Sequence, residues 1–165
     1  MKYASTSDCH WGSANCGCIA LTDNLSPDDR KKAMRAVKSQ RTSLERCLRG
    51  ILISNGFRGW KVNPPDLVGH PDFAFEEERL AVFVDGCFWH GCPTCKRPLP
   101  KSNENYWRQK IQRNVDRDRS TTAKLRSSGW GVIRIWGHEL KDPASYPMIA
   151  DKIRARLKSR VQKSF

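Results

Sequence analysis

Where the chain leaves the apolar run Leu80 to Val84, it enters Gly86-Cys87-Phe88-Trp89-His90-Gly91-Cys92-Pro93-Thr94-Cys95. Three thiols at C-x4-C-x2-C spacing suit a tetrahedral zinc site, because that ion selects soft thiolates on short chelating turns. Phe88 and Trp89 sit beside them in a polar loop with no obvious hydrophobic interior to enter. The segment therefore asks for a metal and a ligand. A fourth donor must come from elsewhere in the chain or be water. His138 is the candidate. It follows the apolar run Gly131 to Trp136, and if that run is a strand parallel to Leu80 to Val84, both ends emerge at one sheet edge. Closing all four positions with protein donors makes the metal structural rather than catalytic. The competing reading is three reduced thiols and a surface histidine.

His90 could itself bind zinc, but only two residues separate it from Cys87, and its use would leave His138 idle. It is read instead as a base, since an imidazole can take a proton from water near neutral pH. Cleavage of a phosphodiester also needs a carboxylate that holds a hard cation near the scissile phosphate. Gly69-His70-Pro71-Asp72-Phe73 offers one. Asp72 follows a proline and opens a strand, so it can project from the sheet edge, although a lone Pro-Asp is also a common turn. Asp116 and Asp118 lie among Arg113, Arg117 and Arg119 on a helical stretch, where the plain reading is a solvated, ion-paired face.

The elements that must position these groups follow from periodicity and caps. Ser26-Pro27-Asp28-Asp29 opens a basic helix that reaches about Lys38, with Lys31, Lys32 and Arg35 around Met34. Thr42-Ser43-Leu44-Glu45 has the form of a capping box, and Leu44, Cys47, Leu48, Ile51 and Leu52 line one face of a second helix ended by Gly56. Strands are expected at Phe57 to Val62, Asp72 to Phe75 and Leu80 to Val84. Asn103 to Ser127 reads as a long helix with Trp107, Ile111, Val115, Thr122 and Leu125 on one face. Gly131 to Trp136 is a further strand. Tyr146 to Lys163 reads as a basic amphipathic helix with Met148, Ile149, Ile153 and Leu157 inward. The order ααβββαβα predicts an α+β or three-layer domain, a mixed sheet with helices on its faces.

A chain of 165 residues has room for one core. Residues 26–165 are read as that domain. Residues 1–25 are read as a flexible leader whose Cys9, His10, Cys16 and Cys18 match no familiar metal spacing. Thirty Lys and Arg against seventeen Asp and Glu give +13. The leader contributes only Lys2, Asp8 and Asp23, so the excess belongs to the folded part. Such a balance, mixed with aromatics, favours a polyanion, nucleic acid first and an anionic membrane second. No apolar stretch approaches the ~20 residues of a membrane span, and no secretory h-region is present. The expected location is cytoplasmic, where seven cysteines serve as metal ligands or reduced thiols.

Several stretches together resemble the very-short-patch mismatch repair endonucleases, the Vsr family. They are Met34-Arg35-Ala36, Glu45, Gly69-His70-Pro71-Asp72-Phe73, Val82-Phe83-Val84-Asp85-Gly86-Cys87-Phe88-Trp89-His90, Tyr106-Trp107 and Asn114-Val115-Asp116-Arg117-Asp118. They fall in the family's order with similar gaps, between about Ser26 and His138. The resemblance implies a restriction-endonuclease-like core in which Asp72 and the backbone carbonyl of Val84 bind a catalytic magnesium ion. It implies His90 as general base, with Glu45 and Asp118 as supporting acids. Phe88, Trp89 and Trp107 match a wedge that enters the base stack beside a mismatch, and Met34 a residue that presses in from the other groove. Lys110 and Asn114 complete the set expected to touch DNA. An inserted wedge costs a few kcal/mol of unstacking per step, and less at a mismatch.

Two departures accompany the match. The fourth zinc ligand, often cysteine in the family, is His138 here. The Glu-x-Lys of ordinary restriction nucleases is absent, with Val84 and Asp85 in that region, which strengthens the case for His90. The implied activity is magnesium-dependent nicking 5′ of the mispaired T of a T:G pair in duplex DNA. The enzyme is expected to be monomeric and nucleoid-associated. Its functional neighbours would be a cytosine-5 DNA methyltransferase and mismatch-repair proteins. The alternatives are a non-catalytic, zinc-containing DNA-binding module and a restriction-type endonuclease acting on intact duplexes.

Overall fold

The structure, a computed structural model, describes Asp28, residues 43–101 and residues 103–161. Asp28 is helical. The rest of the helix expected from Ser26 to Lys38, with Met34, lies outside the described residues, as do Cys9, His10, Cys16 and Cys18.

The first complete helix, α1, covers residues 43–54 and buries Leu48, Ile51 and Leu52. It stops in a Schellman motif. Gly56 has a φ of +71° and donates to the Ile53 carbonyl, while the N–H of Phe57 donates to the Leu52 carbonyl. Phe57 thereby belongs to the helix stop and not to the expected strand, which is confined to β1, Trp60–Val62. Strand β2 is Phe73–Phe75 and β3 is Leu80–Asp85, paired as antiparallel neighbours in the order β1-β2-β3. The expected long helix is α2, Glu104–Ser127, and it crosses over to β4, Gly131–Trp136. That strand lies parallel to β3, in register from Leu80 opposite Gly131 to Asp85 opposite Trp136. A short helix absent from the sequence reading, α3, Gly137–Lys141, follows directly, and its Glu139 side chain accepts from the Trp136 N–H. After a 3-10 turn, α4 spans Tyr146–Val161.

Alternation along the strands assigns the two faces. Leu80, Val82 and Val84 of β3, with Phe73, Phe75, Ile133 and Ile135, pack against α1 and against Ile149 and Ile153 of α4. Ala81, Phe83 and Val132 face the other way, onto Leu125 of α2 and Trp130. The result is the mixed sheet with helices on both faces expected from the element order. Met148 was expected inward and is exposed, because it stands about 100° off the stripe of Ile149, Ile153 and Leu157. Among the described residues no helix is long and apolar enough to cross a membrane.

Candidate active site

The parallel pairing of β3 and β4 brings their C-terminal ends to one edge, and both halves of a donor cluster emerge there. Cys87, Cys92, Cys95 and His138 each offer a ligand atom, all within 4.8 Å of one another. Cys87 Sγ lies 3.3 Å and Cys92 Sγ 3.6 Å from His138 Nδ1. Those edges suit a tetrahedral zinc site, whose bond lengths imply sulfur–nitrogen separations of roughly 3.5 Å. Successive turns shape the loop, with the N–H of His90 donating to the Gly86 carbonyl and that of Cys92 to the Cys87 carbonyl. Gly91, at a φ of +60°, approaches α2 so closely that an added Cβ would lie 3.1 Å from a Val115 methyl.

The thiols are not equivalent. Burial pushes Cys87 up to about 11, and its neighbours Cys95 and Cys92 add to the rise. Burial also opposes ionisation of Cys92, but the backbone N–H groups of Cys95 and Thr94 outweigh it and lower that thiol. The Cys95 N–H lies 3.5 Å from Cys92 Sγ. N–H groups aimed at a sulfur favour its thiolate, the form that binds metal.

Beside this cluster stands His90. Its Nδ1 is 2.6 Å from Asp118 Oδ2 and 3.6 Å from Asp85 Oδ1. In a neutral imidazole, carboxylates on that side favour the tautomer with the proton on Nδ1 and the lone pair on Nε2. A base oriented by an acid in this way is the arrangement used to take a proton from a nucleophile. Asp118 sits on the buried side of α2, so the ion-paired solvent face read from sequence fits Asp116 and Arg119 but not Asp118. Arg134 of β4 ties the acids together: its Nη2 is 2.9 Å from Asp85 Oδ1 and 3.0 Å from Asp118 Oδ1. Neither Arg134 nor Asp85 was selected from sequence. Burial works against the charge on Arg134, yet the two aspartates raise its pKa above that of a free guanidinium.

Asp72 is 5% exposed, and its Oδ2 accepts the Val84 N–H at 2.7 Å. The reason is local. Strand β2 begins only at Phe73, so it offers Val84 no ladder partner, and the Asp72 side chain takes that place. Glu45 is half-buried on α1.

Phe88 and Trp89 pack against each other with ring centroids 5.1 Å apart, and each lies 5.8 Å from Trp107 of α2. The aromatics judged to lack an interior thus make a cluster of their own. Lys110 Nζ stands 5.4 Å from the centroids of Trp89 and Trp107, within cation–π range. Asn114 Nδ2 donates to the Trp89 carbonyl at 3.0 Å, so α2 fixes the backbone of the loop as well as its rings.

Comparison with known proteins adds an independent line. The family model described as DNA mismatch endonuclease Vsr matches residues 22–97. The type II nicking enzyme V.XorIIP of Xanthomonas oryzae pv. oryzae is 43% identical over 122 residues, which is 74% of this chain and 89% of that protein. The type II nicking enzyme V.HpaIIP of Haemophilus parainfluenzae is 37% identical over 133 residues, 79% of this chain and 94% of its own. The DNA mismatch endonuclease Vsr of Escherichia coli is 36% identical over 107 residues, 65% and 68% of the two chains.

Proposed function

Because the chain belongs to the DNA mismatch endonuclease Vsr family, and so is a DNA endonuclease, we propose that it nicks one strand of duplex DNA at a T:G mismatch, 5′ of the mispaired thymine. The observation that carries this reading is the His90–Asp118 pair, 2.6 Å apart, with His90 in the same loop as Cys87, Cys92 and Cys95 and next to Phe88 and Trp89 of the aromatic cluster.

In this scheme His90 Nε2 takes a proton from the attacking water while Asp118 holds the ring through Nδ1. The water oxygen bonds to phosphorus as the bond to O3′ breaks, and the departing O3′ takes a proton from solvent water, giving a 5′-phosphate and a 3′-hydroxyl. Asp72 and the Val84 backbone carbonyl would hold the catalytic magnesium, with Glu45 supporting from α1. A cation there supplies neutralising charge at the phosphate and the departing oxygen. Cys87, Cys92, Cys95 and His138 would hold a structural zinc that fixes His90 and the wedge in one register.

Phe88, Trp89 and Trp107 enter the stack beside the mismatch, and Met34 presses in from the other groove. Lys110 and Asn114 contact the DNA. A mismatched step resists unstacking less than a paired one, which gives one physical source of selectivity. Deamination of 5-methylcytosine produces such T:G pairs, so the enzyme works downstream of a cytosine-5 DNA methyltransferase and beside mismatch-repair proteins. It acts as a cytoplasmic monomer on the nucleoid. The net charge of +13 supports the polyanionic partner.

The test is nicking of end-labelled duplexes carrying T:G or C:G at one position, with magnesium or with EDTA. Cutting of T:G alone, in magnesium alone, is expected. Equal cutting of both duplexes would sink mismatch specificity, and tight binding with no cutting of either would identify a DNA-binding module.

A further inference from the structure

The carboxylates around His90 pose a geometric problem that the proposed mechanism does not address. Two of them approach the same ring nitrogen, Asp118 Oδ2 at 2.6 Å and Asp85 Oδ1 at 3.6 Å. The Nδ1–H can point at either, and the two choices aim Nε2 in different directions. Asp85 is 2% exposed, so it cannot turn away to water.

Arg134 removes the ambiguity. On the α2 face of the sheet it stands opposite Phe83 in the parallel ladder, with its guanidinium 4.9 Å from that ring's centroid. Its Nε and Nη2 engage both oxygens of Asp85, a bidentate pair that occupies this carboxylate. Nη2 also reaches Asp118 Oδ1 at 3.0 Å, leaving Oδ2 for His90. Nη1 lies 3.3 Å from the Asp118 carbonyl and 3.4 Å from Thr122 Oγ1. One side chain thus ties β3, β4 and α2 together at the base.

We infer that Arg134, braced by Asp85, is a positioning residue that assigns Asp118 to His90 and so sets the direction of Nε2. It touches neither substrate nor the reacting atoms and acts through Asp118. This inference rests on the reading of His90 as the base. The fork geometry matters, because lysine offers a point charge that cannot hold both oxygens of Asp85 and reach Asp118 together.

Single-turnover nicking of the T:G duplex, duplex affinity in EDTA, zinc content and thermal melting are measured for Arg134→Gln, Arg134→Lys, Asp118→Asn and the double variant Arg134→Gln/Asp118→Asn. Arg134→Gln is expected to slow nicking about 100-fold, the scale of a base misplaced by about 1 Å, while affinity changes less than about threefold. Arg134→Lys should fall between it and wild type. The double variant should be no slower than Asp118→Asn alone, as follows when one residue works through the other.

A wild-type rate in Arg134→Gln would overturn the inference, and so would losses that multiply in the double variant. If Arg134→Gln does not fold, Arg134→Lys decides, and full activity there would refute the need for a fork. His90→Ala separates the two levels. Nicking that survives in that variant means the base reading itself has failed. Nicking lost with His90→Ala but intact in Arg134→Gln means only the present inference has.

Discussion

Gly69→Ala is a methyl-sized test of how firmly Asp72 is held. Gly69 has a φ of +82°, and a Cβ built there would meet Thr121 Cγ2 of α2 at 2.1 Å. Ordinary carbon contacts need 3.5–4.0 Å, so the loop or the helix must yield by roughly 1.5 Å. The left-handed backbone costs an alanine about 1–2 kcal/mol and the overlap a further ~1–3 kcal/mol. For a chain of this size that corresponds to a fall in Tm of roughly 5–15 °C. Gly69 lies three positions before Asp72, so part of the displacement reaches the carboxylate, and nicking should drop by about 100-fold. The same substitution is then made with Thr121→Ser, which deletes the offending methyl and leaves Cβ and Oγ1 at 3.3 and 3.4 Å. The double variant should regain the ~1–3 kcal/mol of overlap but keep the backbone cost. Differential scanning calorimetry and the T:G nicking assay read both effects. A Gly69→Ala protein that melts within about 2 °C of wild type and nicks at full rate would show that this contact does not fix the Asp72 loop.

Asp72→Ala and His90→Ala should each abolish nicking while mismatch binding, read by gel shift, stays largely intact; full activity in either removes its assigned role. Trp107→Ala should narrow the preference for T:G over C:G duplexes by about tenfold or more, given roughly 1–3 kcal/mol per base–aromatic contact, and an unchanged ratio would take Trp107 out of the wedge. Zinc uptake should release protons, because a Cys87 thiol pushed up to about 11 is protonated at pH 7 and binds metal as thiolate. Zinc affinity therefore rises with pH, and calorimetry of the metal-free protein in two buffers should count at least one proton per ion. A count of zero would exclude Cys87 as a ligand. Elemental analysis of His138→Ala should show zinc lost or reduced, and full stoichiometry would mean that the fourth donor lies elsewhere.

Much of the frame could be read from local pattern. The apolar run of β3 and the spaced apolar face of α1 announced their burial, and Gly56 marked the helix stop. Placement of His138 beside the cysteines followed from the assumption that two apolar runs pair in parallel, which they do. The residues missed depend on pairings that no short window contains. Asp85 and Arg134 are 49 positions apart in the chain, and each is an acceptable surface residue on its own. A signal did exist in β4, where Arg134 interrupts an apolar strand on a face that must pack against α2; a charge there requires an opposite charge close by. Asp118 was picked out by the family resemblance alone, because the arginines around it suggested a solvated face. α3 was too short to show a periodicity, and it escaped notice although it carries His138.

The parallel register of β3 and β4 has one more consequence, in the topology of the chain. Cys87 and His138 are separated by 51 positions, and a metal bound by both closes that span into a ring. The ring contains all of α2, and so Trp107, Lys110, Asn114 and Asp118 together. Cross-linking a loop of that length removes denatured-state freedom worth about 4 kcal/mol in the chain-entropy model. Metal lost from the loop would therefore be felt well beyond the three cysteines, as a longer leash on the helix that carries those four side chains.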